Sequence, residues 1–155
     1  MTFKTKNKTP KFQVGDMVRV ISLEDLRKLK MPKNAPIYYG VSSKTEKYCN
    51  QQYKIIKTEF LDTKYIFNYY LEDVKDCHFA EETLILCEEI TNSINPKFQL
   101  RDDVVRKYNP SFIDEICHIE YRDGEILYCT FDGMGLIDED DLEFYSRKKR
   151  RSKNV

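Results

Sequence analysis

Lys11–Ser22 reads KFQVGDMVRVIS, and Lys97–Arg106 reads KFQLRDDVVR. The two align without a gap, 86 positions apart: Lys11 with Lys97, Phe12 with Phe98, Gln13 with Gln99, Val14 with Leu100, Asp16 with Asp102, Val18 with Val104. A second pair of stretches repeats further on. Phe79-Ala80-Glu81-Glu82-Thr83-Leu84 matches Ile137-Asp138-Glu139-Asp140-Asp141-Leu142 in pattern. Self-similarity of this kind marks a chain built from two copies of one small structural unit. The 155 residues suit two very small domains. Units of such size bury little surface and are marginal alone, so the two are expected to pack together, or one to be propped by added elements.

The expected organisation is a flexible basic arm (1–10), a first unit (11–90), a linker (91–96), a second unit (97–146 as a barrel) and a basic tail (147–155). Hydrophobic residues make up 41% of the chain and aromatic residues 13%, with Tyr and Phe dominant and no Trp. That is enough for a packed core and weights the strands. In the first unit the strands are expected at Met17–Ile21, Gln52–Phe60, Tyr65–Leu71, Cys77–Phe79 and Leu84–Cys87. In the second they are expected at Asp103–Lys107, Ile113–Tyr121, Glu125–Phe131, Met134–Ile137 and Leu142–Tyr145. Ser22 followed by Asp25 forms a capping pair that opens a short helix, stopped by Lys30-Met31-Pro32. Ser42–Tyr48 adds one helical turn, and Asn50 takes a left-handed turn position. Asp123-Gly124 is the strongest short-range hairpin signal in the chain.

Five short strands with a helical turn before the last describe an SH3-like barrel, so the fold class is all-β with a short helix: two tandem SH3-like β-barrels. FQVGDMVRV, YKIIKTEF, YYLE and FAEETL resemble small SH3-like domains of phage and mobile-element proteins from low-GC Gram-positive bacteria. Lys47-Tyr48-Cys49 extends the match. The chain departs from that pattern at Asn50, where Gly is common, and at Arg101, which stands where the first unit has Gly15. The resemblance implies a fold, not an activity; domains resembling these occur in small phage proteins that bind host machinery, with anti-CRISPR and other anti-defence proteins as relatives in kind.

Charge sets the expectations about partners. The net charge is zero, but the basic residues gather at the ends. Lys4, Lys6, Lys8 and Lys11 stand at the start, and RKKRRSK occupies Arg147–Lys153. Residues 12–146 therefore carry −10. An acidic body with basic ends bears on partners, not on fold. The function expected is a non-enzymatic protein-binding module. In its concrete form it is a phage-encoded inhibitor of a host nucleic-acid-handling defence protein, of anti-CRISPR type with a Cas9-like target. Its acidic surface is expected at Asp114, Glu115, Asp123, Glu125, Asp138, Glu139, Asp140 and Asp141. Tyr38 and Tyr39, in a loop after Pro36, are expected aromatic contacts. The alternative is a nucleic-acid-binding module that uses Arg147, Lys148, Lys149, Arg150 and Arg151 together with exposed tyrosines. Phosphate contacts of that kind are salt-dependent and carry no sequence readout. Against these stand ordinary roles: a solvated acidic turn, a solubilising tail, core tyrosines.

No catalytic residues, cofactor or metal are expected. Cys49, Cys77, Cys87, Cys117 and Cys129 include no CxxC and are read as reduced, small apolar fillers. Cys77-His78 and Cys117-His118 do not chelate as pairs, because neighbours on a strand face opposite ways. No apolar run reaches the length of a membrane span, and the first residues lack the apolar core of a signal peptide. The expected location is the cytoplasm, that of the host cell if the chain is phage-encoded.

Overall fold

The computed structural model describes residues 9–29, 43–63, 66–75, 77–88, 94–133 and 135–145. They build an all-β protein with short helices. The first unit comprises β1 (Met17–Val20), α1 (Leu23–Lys28), α2 (Ser43–Glu46), β2 (Gln52–Leu61), β3 (Ile66–Leu71), β4 (Phe79–Ala80) and β5 (Leu84–Glu88). The second comprises β6 (Asp103–Arg106), β7 (Asn109–Arg122), β8 (Glu125–Thr130), β9 (Ile137–Asp138) and β10 (Leu142–Phe144). A single 3-10 turn precedes the last strand of each unit, at Glu81–Thr83 and at Glu139–Asp141. Among the described residues no helix is long and apolar enough to cross a membrane.

The two units repeat one pairing scheme. β1 lies between β5 and β2, with β3 and β4 beyond β2; β6 lies between β10 and β7, with β8 and β9 beyond β7. The repeat extends to single hydrogen bonds. The Gly15 N–H donates to the Ile55 carbonyl and the Arg101 N–H to that of Ile116, both at 2.8 Å. Asp16 and Asp102 each accept from the backbone N–H three residues back, at 3.0 and 2.8 Å. Arg101, at φ +74°, adopts the left-handed conformation that Gly15 adopts at +97°. The first turn of the second unit therefore keeps its shape without glycine.

Three expectations are corrected. The units are not two separate closed barrels: the strand path β10-β6-β7-β2-β1-β5 is a single open sheet, joined through β2 and β7. The strand expected at Ile113–Tyr121 begins earlier, with β7 starting at Asn109. Cys77 and His78 precede β4, which starts at Phe79. In the expected linker, Ile94 and Pro96 are buried. Their apolar side chains are withdrawn from water, and Ile94 joins the core.

The core explains why the units fuse. Phe12, Val14, Val18, Ile55, Phe60 and Tyr69 of the first unit form one cluster with Phe98, Leu100, Val104, Ile116, Ile119 and Tyr128 of the second. Full burial of one such side chain is worth about 1.5–3 kcal/mol. A shared core lets each half use apolar surface that it could not cover alone. In β2 the buried positions step from Ile55 to Thr58 and Phe60, out of strict alternation, because the register shifts between Ile55 and Lys57. β7 does the same between Ile116 and His118, so Ile119 faces inward with Ile116. These paired bulges aim both seam strands into the common core.

Candidate functional site

The seam between the halves obeys an approximate two-fold axis. Ile55 and Ile116 are equivalent by their hydrogen bonds, a spacing of 61 residues. The same spacing takes Lys57 to His118, Thr58 to Ile119 and Glu59 to Glu120. In the β2–β7 ladder Lys57 faces Glu120, Thr58 faces Ile119 and Glu59 faces His118. Applying the spacing to the first pair returns the third. The axis therefore passes through the Thr58–Ile119 pair, and the chain resembles a homodimer fused into one polypeptide, with an isologous interface.

On the outer face of the sheet the seam is polar. His118 Nε2 lies 3.4 Å from Glu120 Oε2 and Nδ1 lies 4.0 Å from Glu59 Oε2. The Arg122 Nη2–H donates to Glu120 Oε1 at 2.8 Å. The hydrogen bond from His118 holds the Glu59 carboxyl below the usual carboxylate range, against the opposing effect of burial. Burial pushes Glu120 up, but its bonds to Arg122 and His118 outweigh that and its pKa falls. Lys57 Nζ stands 4.5 Å over the Tyr70 ring. Cys129, not the chain neighbour Cys117, is the cysteine in register with His118. Burial raises the Cys129 thiol, with Glu120 adding to the effect, and burial raises Cys117 to about 11. Both thiols are therefore protonated at neutral pH, the inert form for nucleophilic attack. Among the described residues no group of three or more His, Cys, Asp or Glu side chains is arranged to hold a metal ion.

On the inner face the axis opens into a cavity of about 540 Å³, lined by Phe12, Gln13, Thr58, Leu86, Phe98 and Gln99, among others. Both copies of the repeated segment contribute to the lining, through Phe12 and Gln13 and through Phe98 and Gln99, and Thr58 and Ile119 are the lining residues that lie on the axis. Thr58 is 1% exposed, and its Oγ1 is buried without a hydrogen-bond partner. A buried hydroxyl left unpaired has a desolvation cost of about 1–3 kcal/mol.

The expected acidic site residues do not form one patch. Asp123 and Glu125 occupy the exposed β7–β8 turn, where Asp123 and Gly124 both have positive φ. Asp138 lies on the neighbouring strand, opposite Leu127, and Asp140 and Asp141 follow, exposed, in the 3-10 turn. Asp114 and Glu115 lie towards the other end of β7. Asp114 Oδ2 accepts the Asp132 N–H at 3.3 Å, and half-buried Glu115 sits 3.9 Å from Arg101. Burial pushes the Glu115 carboxyl up, with Arg101 opposing.

Glu139 serves the fold. Its carboxylate accepts the Lys97 N–H at 3.1 Å and the Tyr128 hydroxyl, while Tyr128 Oη accepts the Phe98 N–H at 3.3 Å. Glu81, Lys11, Tyr69 and Phe12 repeat the arrangement in the first unit. Tyr38, Tyr39 and Arg147–Arg151 lie outside the described residues. Sequence reasoning missed the seam, the cavity and these Tyr–Glu pairs. The signal for the pairs was present, since Tyr69 and Tyr128 and likewise Glu81 and Glu139 occupy matching places in the repeat. Comparison with protein-family models, with curated proteins and with solved structures finds no match to this chain.

Proposed function

We propose that the chain is a non-enzymatic protein-binding module whose second half docks on a basic surface of a nucleic-acid-handling protein. The five-strand order with a 3-10 turn before the last strand supports an SH3-like reading of each half, and that architecture commonly serves binding. One observation carries the functional reading: the halves are alike in fold and unlike in net charge. Residues 11–88 hold twelve basic and twelve acidic side chains, whereas residues 97–145 hold five basic and thirteen acidic ones, a net of −8. Duplication of one unit does not require this asymmetry. Asp123, Glu125, Asp138, Asp140 and Asp141 are among its exposed residues. A charge field of this kind steers encounter with a basic cleft and competes with nucleic acid for it. A phage-encoded inhibitor of a host defence nuclease, of anti-CRISPR type, is the concrete form of this reading, in line with the resemblance of its motifs.

The test is an affinity pull-down of the full chain from a Gram-positive lysate, with and without nuclease, read by mass spectrometry. A stoichiometric basic protein should be retained after nuclease and lost when Asp123, Glu125, Asp138 and Asp140 are all changed to lysine. Recovery of nucleoid and ribosomal proteins alone, lost after nuclease, would overturn the proposal. It would favour instead the binding of nucleic acid through Arg147–Arg151.

A further inference from the structure

We infer that the β5 edge and the adjoining seam cavity form a receptor for an extended peptide segment of a partner protein, with alternate apolar side chains. The inference rests on the protein-binding reading above and gives it a second site, at the seam and the outer strand of the net-neutral half. β5 ends the strand path and pairs with β1 alone among the described residues. Among the described residues, its other side is left with a row of backbone donors and acceptors. Natural edge strands are blunted by charge, proline or shortness. β5 runs five residues, LILCE, with its charge only at the last position. Ile85 and Leu86 are 43% and 39% exposed.

The duplicated strand shows the contrast. Leu84 matches Leu142, so Ile85 and Leu86 match Glu143 and Phe144. β10 is three residues long and carries exposed Glu143 at the place of Ile85. Phe144 packs on Phe98 with ring centroids 4.7 Å apart, whereas Leu86 lines the cavity.

The cavity supplies the second, independent observation. Leu86 belongs both to the open edge and to the lining. The lining also includes Gln13, Asn95 and Gln99, together with charged Lys11 and Asp16. Carboxamides both donate and accept, which matches the N–H and C=O groups of a peptide backbone. Phe98, Leu100 and Ile119 give an apolar wall for a side chain. An unpaired edge that supplies main-chain bonds, beside a pocket that takes alternate side chains, is the geometry of β-strand addition.

The experiment is an mRNA-display selection of a randomised octapeptide library against the full chain, with the Leu86→Lys variant as counter-target. Enriched peptides should alternate apolar residues and bind the wild type at least tenfold more tightly than Leu86→Lys. They should also bind the Gln99→Leu variant more weakly, since Gln99 is an exposed residue of the lining. Circular dichroism and urea unfolding check that both variants fold. No enrichment over the counter-target, or equal binding to both, would overturn the inference. So would a concentration-dependent dimer dissolved by Ile85→Lys, which would assign the edge to a second copy. None of these failures affects a partner captured through the acidic half, so the two proposals fail separately.

Discussion

Ile119→Ala is expected to lower the unfolding free energy by about 2–5 kcal/mol, the range for truncating a well-packed isoleucine. Ile119 is 3% exposed, pairs with Thr58 across the seam and belongs to the core cluster common to both halves. Its truncation enlarges an existing cavity whose walls come from both units. Domains are stable by only about 5–15 kcal/mol in total, so this is a large fraction of the whole. The loss should appear in both halves together, since neither can shed the defect onto the other. Ile85→Ala, at an exposed edge position, should stay within about 0.5 kcal/mol of wild type. Urea denaturation followed by circular dichroism measures both. A loss below about 1 kcal/mol for Ile119→Ala would mean that the seam is not packed as described.

Tyr69→Phe and Tyr128→Phe should each cost about 1–3 kcal/mol, although each removes a single oxygen. The Tyr69 hydroxyl donates to Glu81 at 2.7 Å and accepts the Phe12 N–H at 3.4 Å. Tyr128 does the same with Glu139 and Phe98. Burial and the adjacent carboxylate push both phenol pKa values up, so the hydroxyls remain donors throughout the accessible pH range. Without the oxygen, a carboxylate loses a donor and a buried N–H loses its acceptor, and leaving such groups unsatisfied has the larger cost. The rings remain, so the edge-on packing of Phe12 on Tyr69 at 5.4 Å and of Phe98 on Tyr128 at 5.3 Å survives. The two substitutions should cost alike, because the environments are copies. Urea unfolding of each variant tests this. A neutral result at either site would show that its hydroxyl is not satisfied as described.

Local signals in the sequence carried most of the elements. Ser22 Oγ accepts the Asp25 N–H at 3.1 Å and caps α1 as the spacing implied. Asn50 takes φ +62°. Asp123-Gly124 turns between β7 and β8. These are short-range effects, settled within a few residues. The pairing of β2 with β7 depends on contacts between residues some 60 positions apart, and no local propensity encodes which edges meet. The early start of β7 was hidden by Asn109-Pro110, a pair that favours turns elsewhere. Proline is tolerated there because Pro110 lies next to the first residue of its strand, where among the described residues β7 pairs with β6 alone.

The acidic run Glu139–Asp141 illustrates the limit at the site. It reads as a uniform solvated turn, yet the structure binds Glu139 to Tyr128 and Lys97 and leaves Asp140 and Asp141 exposed. Only the partner residue, far off in sequence, separates them. The cavity was illegible for the same reason, because Gln13, Thr58, Leu86 and Gln99 have nothing in common until the seam forms.

The cavity, the open β5 edge beside it and the placement of the acidic half all depend on the two halves being one body around the seam. Hydrogen exchange of the wild-type chain across a urea series, read by mass spectrometry on peptides from each half, tests that most directly. Peptides covering β1–β3 and those covering β6–β8 should lose protection at one common urea midpoint. Two separated midpoints would contradict the fused two-fold sheet and return the chain to two independent units.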